Sequence, residues 1–519
     1  MVRKFFHKRR LTGLISTKGF LSACIFLVSV FINNAGAQSV QKLSDSLYSE
    51  ILEEQRNLQI VLPANYKPGA ADKYDVIYVL DGEWNTEMVS QIHQYTTNWR
   101  FIPQNIIVGI NNTYINGVNQ RDRDLTPTHN DNQPISGKAT NFVAFIKKEL
   151  IPYINKKYPT TGDNTLFGHS HGGTATVFTF LTEPTLFKSY IAADPSLWWD
   201  NGYMSKFAAD KLPGMSGISA TLHISGRAGS EYAGMGIDRF DSVLKEKAPK
   251  NLLWESAAYP NEIHNSVKLK GIYDGLKLAY RGYTTENISF HPMNGIMLKD
   301  KPTNIYRNSN NNFIHYTTNG SEPGISSPIM DNITVLNGPA VLKAKPVSAR
   351  WTKNKTFTGH FREGQPLKTV AKPKKAVPGG FSYAYYKGDW DKLPEFAKLK
   401  PEQTGITDKD FNPGKLPRDK NYACLIDGYV EIKEAGYYIF GIDAHNGLKF
   451  YLHNQLLIDY DGVQENPGLQ SFLVPLDKGF YPLRLEYFLT TGNRNLEFIY
   501  LAPGKKDPTP IPLDAQYHK

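Results

Sequence analysis

Gly168-His169-Ser170-His171-Gly172 is the only G-x-S-x-G in the chain, and its setting suits a nucleophilic serine. The apolar run Thr165-Leu166-Phe167 precedes it, and Thr174-Ala175-Thr176-Val177-Phe178-Thr179-Phe180-Leu181, which reads as a packed helix, follows. A sharp turn between strand and helix projects a serine Oγ. The glycines admit a backbone that a Cβ would crowd, and the N–H of the next residue, His171, faces an oxyanion forming on an attacked carbonyl. A base must follow in the chain, and the polar loop Tyr259-Pro260-Asn261-Glu262-Ile263-His264-Asn265-Ser266-Val267 supplies His264. His169 and His171 flank the serine too closely to fold back onto it as base, so His169 is assigned to the substrate pocket. The acid that orients the base is expected between nucleophile and base. Glu231 fits, after the strand Thr221–Ser225 and the turn Gly226-Arg227-Ala228-Gly229-Ser230. Asp238 is the alternative, at a place where a helix begins and an aspartate would equally serve as a cap. A second oxyanion donor is expected from Asp81-Gly82-Glu83-Trp84, as the N–H of Gly82 or Glu83.

These residues need a scaffold, and the hydropathy pattern implies one. From Gln59 to about Tyr280, short apolar runs alternate with helical patterns, the signature of a mostly parallel sheet covered on both faces. Val76–Leu80, Ile106–Ile110, Thr165–Phe167, Ser189–Ala193 and Thr221–Ser225 read as buried strands. A helix starting near Asn141 places Phe142, Val143, Phe145, Ile146, Leu150 and Ile151 at three-to-four spacing. In such sheets ligands bind beyond the carboxyl ends of the strands, which is where the candidate residues fall.

The formal net charge of +10 suggests a polyanionic partner until it is located. Six Lys and Arg residues lie before residue 38 with no acidic residue among them. They precede the apolar run Phe20–Ile32 and Ala35-Gly36-Ala37, the pattern of a secretory signal cleaved after Ala37. The remainder is nearly balanced, so nucleic acid is not an expected partner, and a periplasmic or extracellular destination is. No later stretch approaches the length of a membrane span. Cys424 alone remains after cleavage, which excludes an intramolecular disulfide and makes the thiol an expected core filler.

The organisation expected is a signal peptide at 1–37, the α/β domain at 38–285, a small β-sandwich at 286–362 from Thr/Asn/Gly-rich alternation, a solvated Pro/Lys linker at 363–378, and a third, all-β domain at 379–519. Alternating strands in the last are Tyr437–Ile442, Leu448–Leu452 and Leu483–Phe488.

The motifs of residues 50–283 resemble the putative-esterase family of α/β hydrolases, which includes siderophore esterases and carbohydrate esterases. The residues that carry the resemblance are Val79-Leu80-Asp81-Gly82, Val108-Gly109-Ile110, Arg121-Asp122-Arg123-Asp124-Leu125-Thr126-Pro127, the serine turn, Pro195-Ser196-Leu197-Trp198-Trp199-Asp200 and the histidine loop. The resemblance implies an α/β-hydrolase fold, a serine esterase, and Trp198, Trp199 and Arg123 as substrate contacts. Some members of that family work with a Ser–His dyad. Residues 314–358 resemble the fibronectin-like domain at the C-termini of chitobiases, through Tyr316-Thr317-Thr318-Asn319-Gly320-Ser321-Glu322-Pro323. Residues 380–510 resemble the protective-antigen-type (PA fourteen) β-barrel, through Tyr386-Lys387-Gly388-Asp389-Trp390, Gly428–Ile432, Gly436–Phe440 and Gly479–Leu485. That module often accompanies carbohydrate-active enzymes, which implies a glycan as its ligand. Some members bind sugar through calcium on adjacent aspartates. Here His445-Asn446-Gly447 stands at that place, so no metal is expected, and no cofactor is implied. The substrate expected is an acetyl or feruloyl ester on a glycan, with a tricatecholate siderophore ester and a non-catalytic glycan-binding protein as alternatives.

Overall fold

The computed structural model describes residues 40–309, 313–348, 350, 354–408, 417, 419–464, 468–492 and 496–519, so the expected signal peptide lies outside the described residues. The chain divides into two compact units. Of the described residues, one takes in 40–285 together with those of Val347–Asn354; the other takes in those of Glu286–Pro346 and Lys355–Lys519.

The first unit runs β1 Gln41–Ser49, β2 Glu54–Leu62, β3 Tyr74–Leu80, α1 Gly82–Asn98 and β4 Asn105–Ile110. A hairpin of β5 Tyr114–Ile115 and β6 Val118–Asn119 leads to α2 Arg121–Leu125. Then α3 Ala139–Phe145 continues through a π-helical turn into α4 Ile151–Lys157. The second half is β7 Thr160–His169, α5 His171–Thr182, β8 Ser189–Ala193, α6 Trp199–Lys211, β9 Thr221–Arg227, α7 Ser230–Gly234, α8 Ile237–Lys247, β10 Leu253–Tyr259 and α9 Val267–Ala279. The sheet order is β1-β2-β4-β3-β7-β8-β9-β10, parallel from β4 onward, with β1 and β2 as an antiparallel edge.

Strand pleat explains why continuous apolar runs form these strands. On β3, Val76, Tyr78 and Leu80 face the cluster that holds Phe142, Phe145 and Phe178, whereas Ile77 and Val79 face the one that holds Val89, Ile272 and Leu276. Both faces are covered, so neither set of alternate positions can be polar. Helix α9 sits close to the sheet because it carries a glycine at the contact: a Cβ on Gly275 would lie 2.5 Å from Ile191 Cγ2.

Segment Val347–Asn354 returns to this unit at the amino ends of its strands. The Arg350 guanidinium bonds Asp75 (Nη2–Oδ2 3.0 Å) and Thr165 (Nη1–Oγ1 2.9 Å) and lies 4.3 Å from the centre of the Tyr280 ring. Sequence reading placed this segment within the 286–362 sandwich. The partly buried Asp75 carboxylate is paired there with the buried Arg350 guanidinium.

The second unit is all β. Asn294–Met297 pairs in parallel with both Phe357–Glu363 and Gln470–Leu476, joining strands from the expected sandwich and the expected third domain into one eight-stranded sheet. The two modules read from sequence as separate therefore form one compact unit. The expected solvated linker is also tied down. Leu367 N donates to Pro475 O at 3.2 Å, Val370 N to Phe480 O at 2.9 Å, and Val377–Pro378 pairs with Gln516–His518. Cys424 is buried among the aromatics of this unit.

Arg350→Ala should destabilise the first unit by about 1–3 kcal/mol, because it removes the cation from Asp75 and leaves that carboxylate only the Tyr280 and Thr161 hydroxyls. Urea unfolding followed by tryptophan fluorescence reads this as a lowered midpoint of the first transition.

Candidate active site

Three neighbouring strands end in left-handed residues that are not glycine: Asp81 after β3 (φ 53°), Ser170 after β7 (φ 59°, ψ −122°) and Asp194 after β8 (φ 43°). Each conformation costs on the order of 1–3 kcal/mol and persists only where surrounding bonds impose it. Around Ser170 they do. Its N–H donates to Ala193 O at 3.1 Å, and its carbonyl accepts from Thr174 N at 3.0 Å and Ser196 N at 3.2 Å. Gly168 is required, since a Cβ there would lie 2.1 Å from Gly172 O. The Ser170 hydroxyl lies 3.3 Å from that of Ser196.

His264 follows β10, and its Nδ1 donates to Asp194 Oδ2 at 2.7 Å. A carboxylate accepts only, so Nδ1 carries the hydrogen and Nε2 is left as the basic nitrogen. The ring lies against that of His169 with centroids 4.5 Å apart. His169 Nε2 donates to the His264 carbonyl at 2.7 Å, which fixes the His169 tautomer as well. Burial, reinforced by the nearby His264 and Lys268, pushes His169 down to about 4, so it is a neutral brace at neutral pH. Burial of Asp194 works to raise its carboxyl, but the hydrogen bonds from His264 and Arg227 outweigh it and hold Asp194 below the usual carboxylate range.

Helices α5 and α1 begin with His171 and Gly82, directly after adjacent strands in which Val79 lies opposite Phe167. The first N–H groups of a helix have no intrahelical acceptor and sit at the positive end of its dipole. At α1, Trp84 N and Asn85 N donate to Asp81 O at 3.0 and 3.1 Å, so the N–H groups at the head of the helix belong to Gly82 and Glu83. The Glu83 carboxylate accepts from Asn112 N at 3.1 Å and from Asn112 Nδ2 at 2.8 Å. The imidazole of His171 pairs with Asp122 (Nδ1–Oδ1 3.1 Å) and meets the Trp199 ring edge-on at 5.2 Å. That hydrogen bond, together with the neighbouring charges, keeps the Asp122 carboxyl low.

Several sequence assignments are corrected here. Glu231 does not reach His264. It pairs with Arg227, whose Nε in turn donates to Asp194 Oδ2 at 2.7 Å. Asp238 is exposed in the first turn of α8. The carboxylate on His264 is therefore Asp194, after β8 rather than β9. An aspartate directly after a buried strand, in Ala193-Asp194-Pro195-Ser196, was the available signal, but chain order alone does not say which strand end lies beside His264. Arg123 is fully engaged with Glu54 (2.7 and 3.0 Å) and Asp124 (2.7 Å). Arg121 is the arginine beside the serine turn. It grips Asp81 with two bonds of 2.7 and 2.9 Å, reaches the His169 carbonyl at 3.4 Å and lies 5.6 Å from the centre of the Trp84 ring. Trp199 is buried and donates to Thr128 Oγ1 at 3.1 Å, so it is core; Trp198 and Trp84 are exposed. Among the described residues no group of three or more His, Cys, Asp or Glu side chains is disposed to hold a metal ion, and no helix is long and apolar enough to cross a membrane.

Asp194→Asn should cost about 1–3 kcal/mol at neutral pH, since it removes the buried carboxylate that accepts from both His264 and Arg227 and leaves the guanidinium only the exposed Glu231. Because the folded carboxyl titrates below its unfolded value, its contribution is complete above about pH 4 and is lost as pH falls through the lower folded value. The gap between wild type and variant should therefore narrow in acid, while Glu231→Gln should leave the urea midpoint unchanged.

Residues 49–217 match the family model described as Putative esterase, and residues 379–513 match the PA14 domain. A ferri-bacillibactin esterase from Bacillus subtilis is 32% identical over 169 residues, 30% of this chain and 58% of that protein. A siderophore enterobactin esterase from Emericella nidulans is 36% identical over 86 residues, 15% of this chain and 28% of that one. The chain thus spans between about a quarter and three fifths of the length of these curated relatives. The crystal structure of an IroE-like serine hydrolase from Shewanella oneidensis is 32% identical, covering 46% of this chain and 79% of that one, with a TM-score of 0.42. Residues 49–217 thus belong to the Putative esterase family, and residues 379–513 are a PA14 domain.

Proposed function

We propose that the chain is a serine carboxylic-ester hydrolase working through an acyl-enzyme. The observation that carries this reading is the 2.7 Å bond from His264 Nδ1 to the buried Asp194 carboxylate, beside a serine held in a strained turn. Ser170 Oγ attacks the ester carbonyl while His264 Nε2 takes its proton. Asp194 stabilises the imidazolium, and the N–H of His171 with that of Gly82 or Glu83 holds the oxyanion. His264 returns the proton to the leaving alcohol, and water then hydrolyses the acyl-serine by the same route in reverse.

The substrate favoured is a siderophore ester, because relatives named for bacillibactin and enterobactin are similar over the first unit. The exposed faces of Trp84 and Trp198, with Arg121 close by, suit catechol rings. The PA14 segment supports a second reading, an acetyl or feruloyl ester on a glycan held near that module. The leader-like residues 1–37 support export, and under either reading the enzyme meets its substrate outside the cytoplasm.

Hydrolysis of p-nitrophenyl acetate by the chain from Gln38 onward tests the chemistry. Ser170→Ala and His264→Ala should each lower kcat by roughly 10⁴-fold or more, and Asp194→Asn by about 10²–10⁴-fold. A tricatecholate trilactone turned over far faster than acetylated or feruloylated xylan identifies the siderophore reading, and the reverse preference identifies the glycan one. Equal rates for wild type and Ser170→Ala on all of these would leave a non-catalytic glycan-binding protein.

A further inference from the structure

Arg227 stands at the end of β9, and α7 begins three residues later. Its Nε donates to Asp194 Oδ2 at 2.7 Å, the same oxygen that His264 Nδ1 holds at 2.7 Å. Its Nη1 bonds Glu231 on α7, and its backbone N–H approaches Asp194 Oδ1 at 3.4 Å. The result is an alternating chain of charge from His264 through Asp194 and Arg227 to Glu231. Its inner carboxylate is wholly buried, and its outer one is 56% exposed. A guanidinium on the acceptor oxygen of a catalytic histidine has two opposed effects. It fixes the carboxylate rotamer, and it drains the negative charge that stabilises the imidazolium. An acidic partner on the far side of the guanidinium offsets the second effect and leaves the first.

Building on the triad proposed above, we propose that Arg227 and Glu231 are positioning residues for the Asp194–His264 pair. Arg227 clamps the shared oxygen, and Glu231 cancels the guanidinium charge. This also accounts for an acid that sits after β8 rather than β9: the strand end where Glu231 was expected to serve as acid contributes the clamp instead. Other titratable or charged groups near His264 are His169 from β7, stacked on its ring, Lys268 at the start of α9, the Glu262–Lys270 pair of its own loop and α9, and the Asp81–Arg121 pair from the β3 and α2 side. None of these changes in the variants below.

The test follows the His264 ring proton by NMR titration in the full-length mature chain, beside pH profiles of p-nitrophenyl acetate hydrolysis. Glu231→Gln leaves the guanidinium uncompensated, so the His264 midpoint and the acidic limb of kcat should both move down by about half a pH unit. KM should be unchanged, and Glu231→Asp should restore the limb. Arg227→Met removes the positive charge and should move the midpoint up while lowering kcat through loss of the clamp. Opposite shifts support the proposal. No shift in Glu231→Gln, or shifts of the same sign, would overturn it, as would a thousandfold or greater loss of kcat with an unmoved titration, which would make Glu231 the acid itself. If the ester-hydrolase reading fails, wild type will be no faster than Ser170→Ala, and the His264 titration still decides the roles of Arg227 and Glu231.

Discussion

A carboxylate taken out of water is tolerated only when donors surround it, and Asp194 has a side chain with no exposed surface. Its donors come from far along the chain: the Arg227 guanidinium 33 residues on and the His264 imidazole 70 residues on. Both reach it only because β8 and β9 are adjacent and parallel and the loop after β10 folds back over their ends. One buried charge thus ties together three strand ends. It sets the tautomer of His264, with the hydrogen on Nδ1 and none on Nε2.

The same strand ends carry the strain and the dipoles. Asp81, Ser170 and Asp194 are each left-handed, and helices start directly after the first two. Turns of this kind require a glycine where backbone meets backbone, as at Gly168, and otherwise rely on hydrogen bonds such as Ser170 N to Ala193 O. Arg121 stabilises the ensemble from the side, holding Asp81 with two bonds and touching the carbonyl of His169. The polar residues near the serine are therefore mostly committed to one another. Trp84 and Trp198 are among the large side chains left exposed.

In the second unit, continuity of the sheet is decided by the short strand Asn294–Met297. Its two edges pair with strands roughly 60 and 175 residues away, a registration that local alternation does not encode. That is why sequence reading separated two β modules where one compact unit stands, and why a Pro/Lys stretch read as free linker is hydrogen-bonded to Gln470–Leu476 and its neighbours.

What the sequence determined by itself was local. Apolar runs flanked by turn residues marked β3, β4, β7, β8 and β9, since burial on both faces leaves no choice of polar positions. The spacing of glycines around Ser170 marked the turn, and chain order marked His264. What tertiary structure decided was pairing. Asp194, Glu231 and Asp238 are equivalent as acids in sequence, Arg121 and Arg123 stand two residues apart, and Trp198 and Trp199 are neighbours. Which carboxylate meets His264, which arginine grips Asp81 and which tryptophan is buried depend on the strand order and on the pitch of a short helix, and both are set by contacts between residues distant in the chain.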